Sequence, residues 1–142
     1  MPTSAEGEPQ LVDTSVAVAL LTADHRHHQQ VFAAVAERRL GLAGHAAFET
    51  FSVLTRLPAP ARRTPASAAR LIEANFPHSV FLGAERAQVL VEDLAASGVA
   101  GGAVYDALVA AVCIEHGRRL VTRDQRALGT YRALGADVEV LR

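Results

Sequence analysis

The sequence predicts an α/β fold: a single three-layer, Rossmann-like domain with a short, mainly parallel central sheet flanked by helices. Two observations carry this expectation. Short, continuously apolar runs alternate with helical stretches, the pattern of parallel strands covered on both faces. The chain has 142 residues, 50% of them hydrophobic and 20% charged, enough for one core that hides about 70% of the unfolded surface. No repeat or linker divides it. The domain is expected to occupy residues 11–142, behind a short polar N-terminal extension at residues 1–10.

That extension lacks a basic segment, so it does not read as a signal peptide. Leu11-Val12 reads as a buried strand ending at Asp13-Thr14-Ser15, followed by a helix over Ser15–Thr22 with Asp13 or Thr14 as its cap. Asp24 and His25 are expected to open a second helix running to Arg39. A strand follows at Leu40–Ala43, closed by Gly44, and then a helix over Ala46–Leu57 that Pro58-Ala59-Pro60 ends. Residues Pro58 to Pro65 form a biased loop containing Arg62 and Arg63, and Thr64 or Pro65 starts a helix to Asn75. A strand is expected at Ser79–Leu82 and a helix at Ala84–Ser97. After the break at Gly98–Gly102, a helix spans Ala103–His116 with Gly117 as its C-cap. Arg119–Val121 reads as a strand ending at Thr122-Arg123-Asp124, a short helical segment runs to Ala133, and Asp137–Leu141 is the last strand.

Composition narrows the function. The formal net charge of −1 gives no bulk attraction for nucleic acid, so polyanion binding must come from local groups. All 14 basic residues are arginine, whose planar fork suits phosphate. The one cysteine, Cys113, lies in an apolar helical stretch and reads as core in a reducing compartment. The longest apolar run, Val16 to Leu21, is too short to cross a bilayer, and the expected location is the cytoplasm.

Four acids stand out. Asp13 and Asp124 each fall where a strand gives way to a helix, the place where an Asp ordinarily caps and where ligands of open parallel sheets bind. Glu49 lies on a polar helical stripe with Ser52 and Arg56, opposite Phe48, Phe51 and Leu54. Asp106 is the most telling. Val109, Ala110 and Cys113 share its helix face, and a carboxylate among apolar side chains costs several kcal/mol unless it is paired, protonated or metal-bound. Two unit charges 4 Å apart at an effective dielectric near 20 repel by about 4 kcal/mol, so clustered carboxylates demand compensation. Hard oxygen ligands favour Mg²⁺ or Mn²⁺ over zinc.

The segments Leu11-Val12-Asp13-Thr14-Ser15, Phe48-Glu49, Tyr105-Asp106-Ala107-Leu108 and Leu120-Val121-Thr122-Arg123-Asp124 resemble the motifs of PIN-domain ribonucleases, above all the VapC-type toxins of bacterial toxin–antitoxin pairs. The resemblance covers nearly the whole chain. It implies a Mg²⁺- or Mn²⁺-dependent endoribonuclease, a homodimer, and inhibition by a small antitoxin protein. Asp13, Glu49, Asp106 and Asp124 match the family's acidic positions one for one; Asp13, Asp106 and Asp124 would hold the metal, with Thr14 and Thr122 as supporting hydroxyls. Two departures are visible: His45-Ala46-Ala47 precedes Phe48 in place of a Thr/Ser/Pro lead-in, and Gln125 and Arg126 follow Asp124 where some relatives carry a further acid.

Arg123 and Arg126, which bracket Asp124, and the Arg62-Arg63 pair are candidate RNA contacts; the pair could equally contact the antitoxin or simply face solvent. His25, His27 and His28 read as helix-surface residues. Other α/β functions fit poorly. No Gly-rich turn follows the first strand, no P-loop is present, and a receiver domain's lysine has no counterpart in a lysine-free chain. The surviving rival is a PIN-like scaffold that binds RNA or protein without cutting.

Overall fold

A computed structural model describes residues 7–142 of the chain. Four three-residue strands form one sheet: β1 (Gln10–Val12), β2 (Leu40–Leu42), β3 (Leu120–Thr122) and β4 (Val138–Val140). Their order is β2-β1-β3-β4 and every pairing is parallel, with Leu11 opposite both Gly41 and Leu120. The sheet is thus wholly rather than mainly parallel. Leu11, Val12, Leu42, Leu120 and Val121 are completely buried, as the continuous apolar runs require.

Among the described residues, seven α-helices cover the sheet: α1 (Thr14–Leu21), α2 (His28–Val35), α3 (His45–Arg56), α4 (Pro65–Asn75), α5 (Ala84–Ala96), α6 (Ala103–His116) and α7 (Leu128–Ala133). Packing joins α1 to α2 and α3, α3 to α4 and α6, and α6 to α5 and α7. Thr64 caps α4 by accepting the Ser67 N–H, with Pro65 at the first helical position, and Gly117 ends α6 in the left-handed region at φ 62°.

Two elements depart from expectation. The second helix starts at His28 rather than Asp24, because residues 22–27 satisfy their backbone locally: His25 N–H donates to Thr22 O at 2.9 Å and His27 N–H to the His25 ring at 3.1 Å. It also stops at Val35, since the Arg39 carbonyl accepts Gln10 N–H and already belongs to the sheet. The expected strand at Ser79–Leu82 shrinks to a single bridge between Val80 and Ala43. There the Ser79 hydroxyl takes the Leu42 N–H at 2.8 Å, so a side chain replaces a backbone carbonyl at the edge of β2.

Topology fixes where a site can form. β1 connects onward to β2 on one side, β3 to β4 on the other. The crevice between these diverging connections opens at the carboxyl ends of β1 and β3, the switch point at which open α/β sheets bind ligands.

Candidate active site

Asp13 follows β1 directly and caps α1. Its Oδ1 accepts the Val16 N–H at 3.4 Å and the Ser15 hydroxyl at 2.5 Å. Its Oδ2 accepts the Tyr131 hydroxyl at 2.8 Å and the Thr122 hydroxyl. Two of these hydroxyls also lace β3 to β1. Thr122 Oγ1 accepts the Asp124 N–H at 2.9 Å, and Ser15 Oγ accepts the Arg123 N–H at 2.9 Å. Each hydroxyl therefore takes one backbone N–H and gives its own proton to the same carboxylate. Asp13 is 4% exposed; burial pushes its pKa up, and the four donors oppose that shift.

Asp124 also caps, accepting Arg126 N–H at 3.0 Å and Ala127 N–H at 3.3 Å, while Arg126 Nη2 lies 3.1 Å from its other oxygen. For Asp13 and Asp124, capping and site formation coincide: the free N–H groups at a helix start select an Asp, and the switch point aims it at the crevice.

Glu49 on α3 and Asp106 in the first turn of α6 complete the group, brought together because α3 packs against α6. All four acids line one cavity of about 70 Å³, together with Thr14, Arg126 and Tyr131. Partial burial raises the pKa of Asp106 most, Arg126 opposes, and the charges of Asp124 and Asp13 raise it further. Burial likewise raises Glu49, His45 opposes, and Asp106 and Asp13 add to the rise. The acids feel one another's charge, as their clustering requires. Val109, Ala110 and Cys113 below Asp106 are buried, and the Cys113 thiol is pushed up to about 12 by burial, which marks it as core.

The donor chemistry suits a hard divalent cation: carboxylate oxygens plus the Thr14 hydroxyl, which is buried without a partner at the cavity wall. Among the described residues no three His, Cys, Asp or Glu side chains converge closely enough to form a metal-ligand group. Mg²⁺ does not require one, since it keeps much of its water and takes only one or two carboxylates directly. The cavity holds several times the roughly 10–15 Å³ that one water needs.

The remaining candidates lie elsewhere. Arg62 and Arg63 are exposed and do not line the cavity; Arg62 Nε donates to Leu57 O at 2.8 Å. Arg123 sits beside the crevice with its Nε buried and unpartnered. His28 bonds the Ala19 carbonyl at 2.9 Å, anchoring α2 to α1. Phe48, expected on the apolar side of its helix, is 65% exposed and meets Phe81 instead of the core. A larger cavity of about 420 Å³ opens where β1 and β3 begin, but its cations are paired, Arg118 with Glu8 and Arg119 with Asp137.

Sequence reasoning passed over Tyr131, the group that closes the site from α7. A signal existed: Tyr131 lies on one apolar face with Ala127 and Leu134, and a buried Tyr hydroxyl requires a partner. Burial, then the Asp13 charge, raises its pKa, so it stays a donor. Tyr131→Phe should cost about 1.5–3 kcal/mol, the worth of a hydrogen bond to a charged group. Urea denaturation measures this; an unchanged midpoint would show that Asp13 does not depend on the hydroxyl.

The chain was also compared with known proteins. The family model for the PIN domain matches residues 11–133. Ribonuclease VapC27 of Mycobacterium tuberculosis (strain ATCC 25618 / H37Rv) is 47% identical over 132 residues, covering 93% of this chain and 96% of the relative. Ribonuclease VapC40 of Mycobacterium tuberculosis (strain CDC 1551 / Oshkosh) is 42% identical over 130 residues, covering 91% and 96%. A family match along nearly the whole chain and relatives of this identity agree with the acidic crevice, and the chain belongs to the PIN domain family, among its VapC-type ribonucleases.

Proposed function

We propose that the protein is a Mg²⁺- or Mn²⁺-dependent endoribonuclease, the toxin of a toxin–antitoxin pair, acting in the cytoplasm as a homodimer and neutralised by a small antitoxin protein. One observation carries the reading: Asp13, Glu49, Asp106 and Asp124, from separate elements, line a single cavity at the switch point of a parallel sheet. The ribonuclease relatives support it.

Asp13, Asp106 and Asp124 would hold the cation, directly or through water, with Thr14 and Thr122 as supporting hydroxyls. When bound, the cation lowers the pKa of a coordinated water and offsets charge on the scissile phosphate and leaving oxygen. Ser15, Thr122 and Tyr131 donate to the Asp13 carboxylate, which favours its charged form against the effect of burial and fixes its orientation. Glu49, whose pKa burial raises, orients or deprotonates the attacking water. Arg126, at the rim, and Arg123 take backbone phosphates; Arg62 and Arg63 contact RNA or the antitoxin. Cleavage is hydrolytic and leaves a 5′-phosphate and a 3′-hydroxyl. The domain spans residues 11–142.

A short reading frame beside this gene should encode the antitoxin; expression with and without its product, followed by mapping of RNA ends, tests the proposal. New 5′-phosphate ends should appear only when the chain is expressed alone. Harmless expression with no new ends would overturn the nuclease reading. Cleavage that persists at full rate beside the neighbouring protein would overturn the antitoxin.

A further inference from the structure

We propose that Tyr105, next to Asp106 in the chain and stacked on His45, which contacts Glu49, is the platform on which an unpaired RNA base next to the scissile phosphate stacks. The inference rests on the nuclease reading of the four acids and adds to it a residue that positions substrate.

Tyr105 immediately precedes Asp106 at the start of α6, and His45 opens α3 one turn before Glu49. The two rings stack with centroids 5.0 Å apart and planes 21° from parallel, while His45 Nε2 lies 3.5 Å from Glu49 Oε1. The stack therefore bridges the two helices that bring Glu49 and Asp106 to the cavity. Tyr105 remains 53% exposed, so its ring is supported by His45 and still presents aromatic surface to solvent. A phosphate that reaches the acids carries its neighbouring bases past this surface.

The need for such a platform follows from charge. With a net charge of −1 and carboxylates at its centre, the chain draws little affinity from the phosphate backbone. Stacking on an aromatic ring supplies affinity that charge does not, and it accepts every base because every base has a π-face. The neighbouring ring pair is differently built. Phe48, one turn along α3 from His45, meets Phe81 at 5.9 Å and 55°, a tilted contact rather than a stack. That apolar pair suits protein better than a nucleobase, whereas the near-parallel, polar-edged Tyr105–His45 stack suits a base.

The test is a fluorescence titration of a short single-stranded RNA carrying 2-aminopurine, in Mg²⁺. It uses a Glu49→Gln background so that the RNA is bound and not cut. Adding Tyr105→Ala should weaken binding by about tenfold, the loss of one base–aromatic stack, and abolish the quenching of 2-aminopurine. Tyr105→Phe should stay within about twofold of the background. Tyr105→Leu, which keeps apolar area without a ring, should behave like Tyr105→Ala. Unchanged affinity and quenching in Tyr105→Ala, or failure of the RNA to bind the background protein, overturns the proposal. So does Tyr105→Ala that releases only the antitoxin, which would make this a protein contact. Cleavage by the chain with native Glu49, assayed in parallel, separates the two readings. If the RNA binds and follows the Tyr105 series yet is never cut, the platform stands and the nuclease assignment falls.

Discussion

Asp106→Asn should abolish RNA cleavage and, at the same time, make the metal-free protein more stable. The activity loss follows from removing one of the carboxylates that would hold the cation; about 4 kcal/mol of lost charge stabilisation is roughly a thousandfold in rate. The stability gain follows from repulsion. Asp106 sits half-buried above Val109, Ala110 and Cys113 and feels the charges of Asp124 and Asp13, so its ionised form works against the fold when no cation is present. The melting temperature in EDTA should therefore rise. A clear fall would make Asp106 a structural anchor, and wild-type cleavage in a metal-replete assay would remove it from the machinery.

The same shifts set a pH dependence with a definite sign. Folded Asp106 and Glu49 have pKa values raised above their ordinary 3.8 and 4.5. Between the ordinary and the raised values the folded state binds more protons than the unfolded state. Stability of the metal-free protein then falls as pH rises through that window and grows on mild acidification. Asp106→Asn should flatten this slope.

Gly41→Ala should be the most damaging single change to the fold. A Cβ at Gly41 would overlap the His78 carbonyl and stand 2.5 Å from Ser79 N, both backbone atoms that cannot swing aside. The segment over residues 76–80 lies along β2 through His78 N–H to Leu40 O (3.2 Å), Val80 N–H to Leu42 O (3.3 Å) and Gly44 N–H to Val80 O (2.8 Å). Pushing it off breaks those bonds and opens the core around Phe76, at about 3 kcal/mol or more. Because Gly44 leads into α3, which carries His45 and Glu49, activity should fall with stability. An unfolding free energy from urea denaturation within about 0.5 kcal/mol of wild type, the range of neutral surface changes, would show that the segment yields.

Much of the architecture was legible because local chemistry specifies it. Asp13 between an apolar strand and a helix, Thr64-Pro65 at a helix start and Gly117 at a helix end each solve a backbone problem within a few residues. Asp106 stood out because a charge on the face of Val109, Ala110 and Cys113 needs a partner, a proton or a metal, although a capping or paired structural role remained open. What stayed hidden depends on contacts between distant segments. Tyr131 reaches Asp13 across 118 positions, and the edge of β2 is closed by the Ser79 hydroxyl rather than by a strand. Phe48 follows the apolar periodicity of α3 yet points to solvent, because Phe81 rather than the core meets its ring. The local turns around His25 that delay α2 likewise leave no trace in hydrophobic periodicity.

If the four-carboxylate cavity works only with a divalent cation, removing and restoring that cation switches cleavage off and on. The purified chain is stripped with EDTA, assayed for RNA cleavage, and then titrated with Mg²⁺ or Mn²⁺. Cleavage should be absent in EDTA and return on adding metal to the wild-type chain, with no recovery in Asp106→Asn. Undiminished cleavage in EDTA would contradict a metal-dependent cavity.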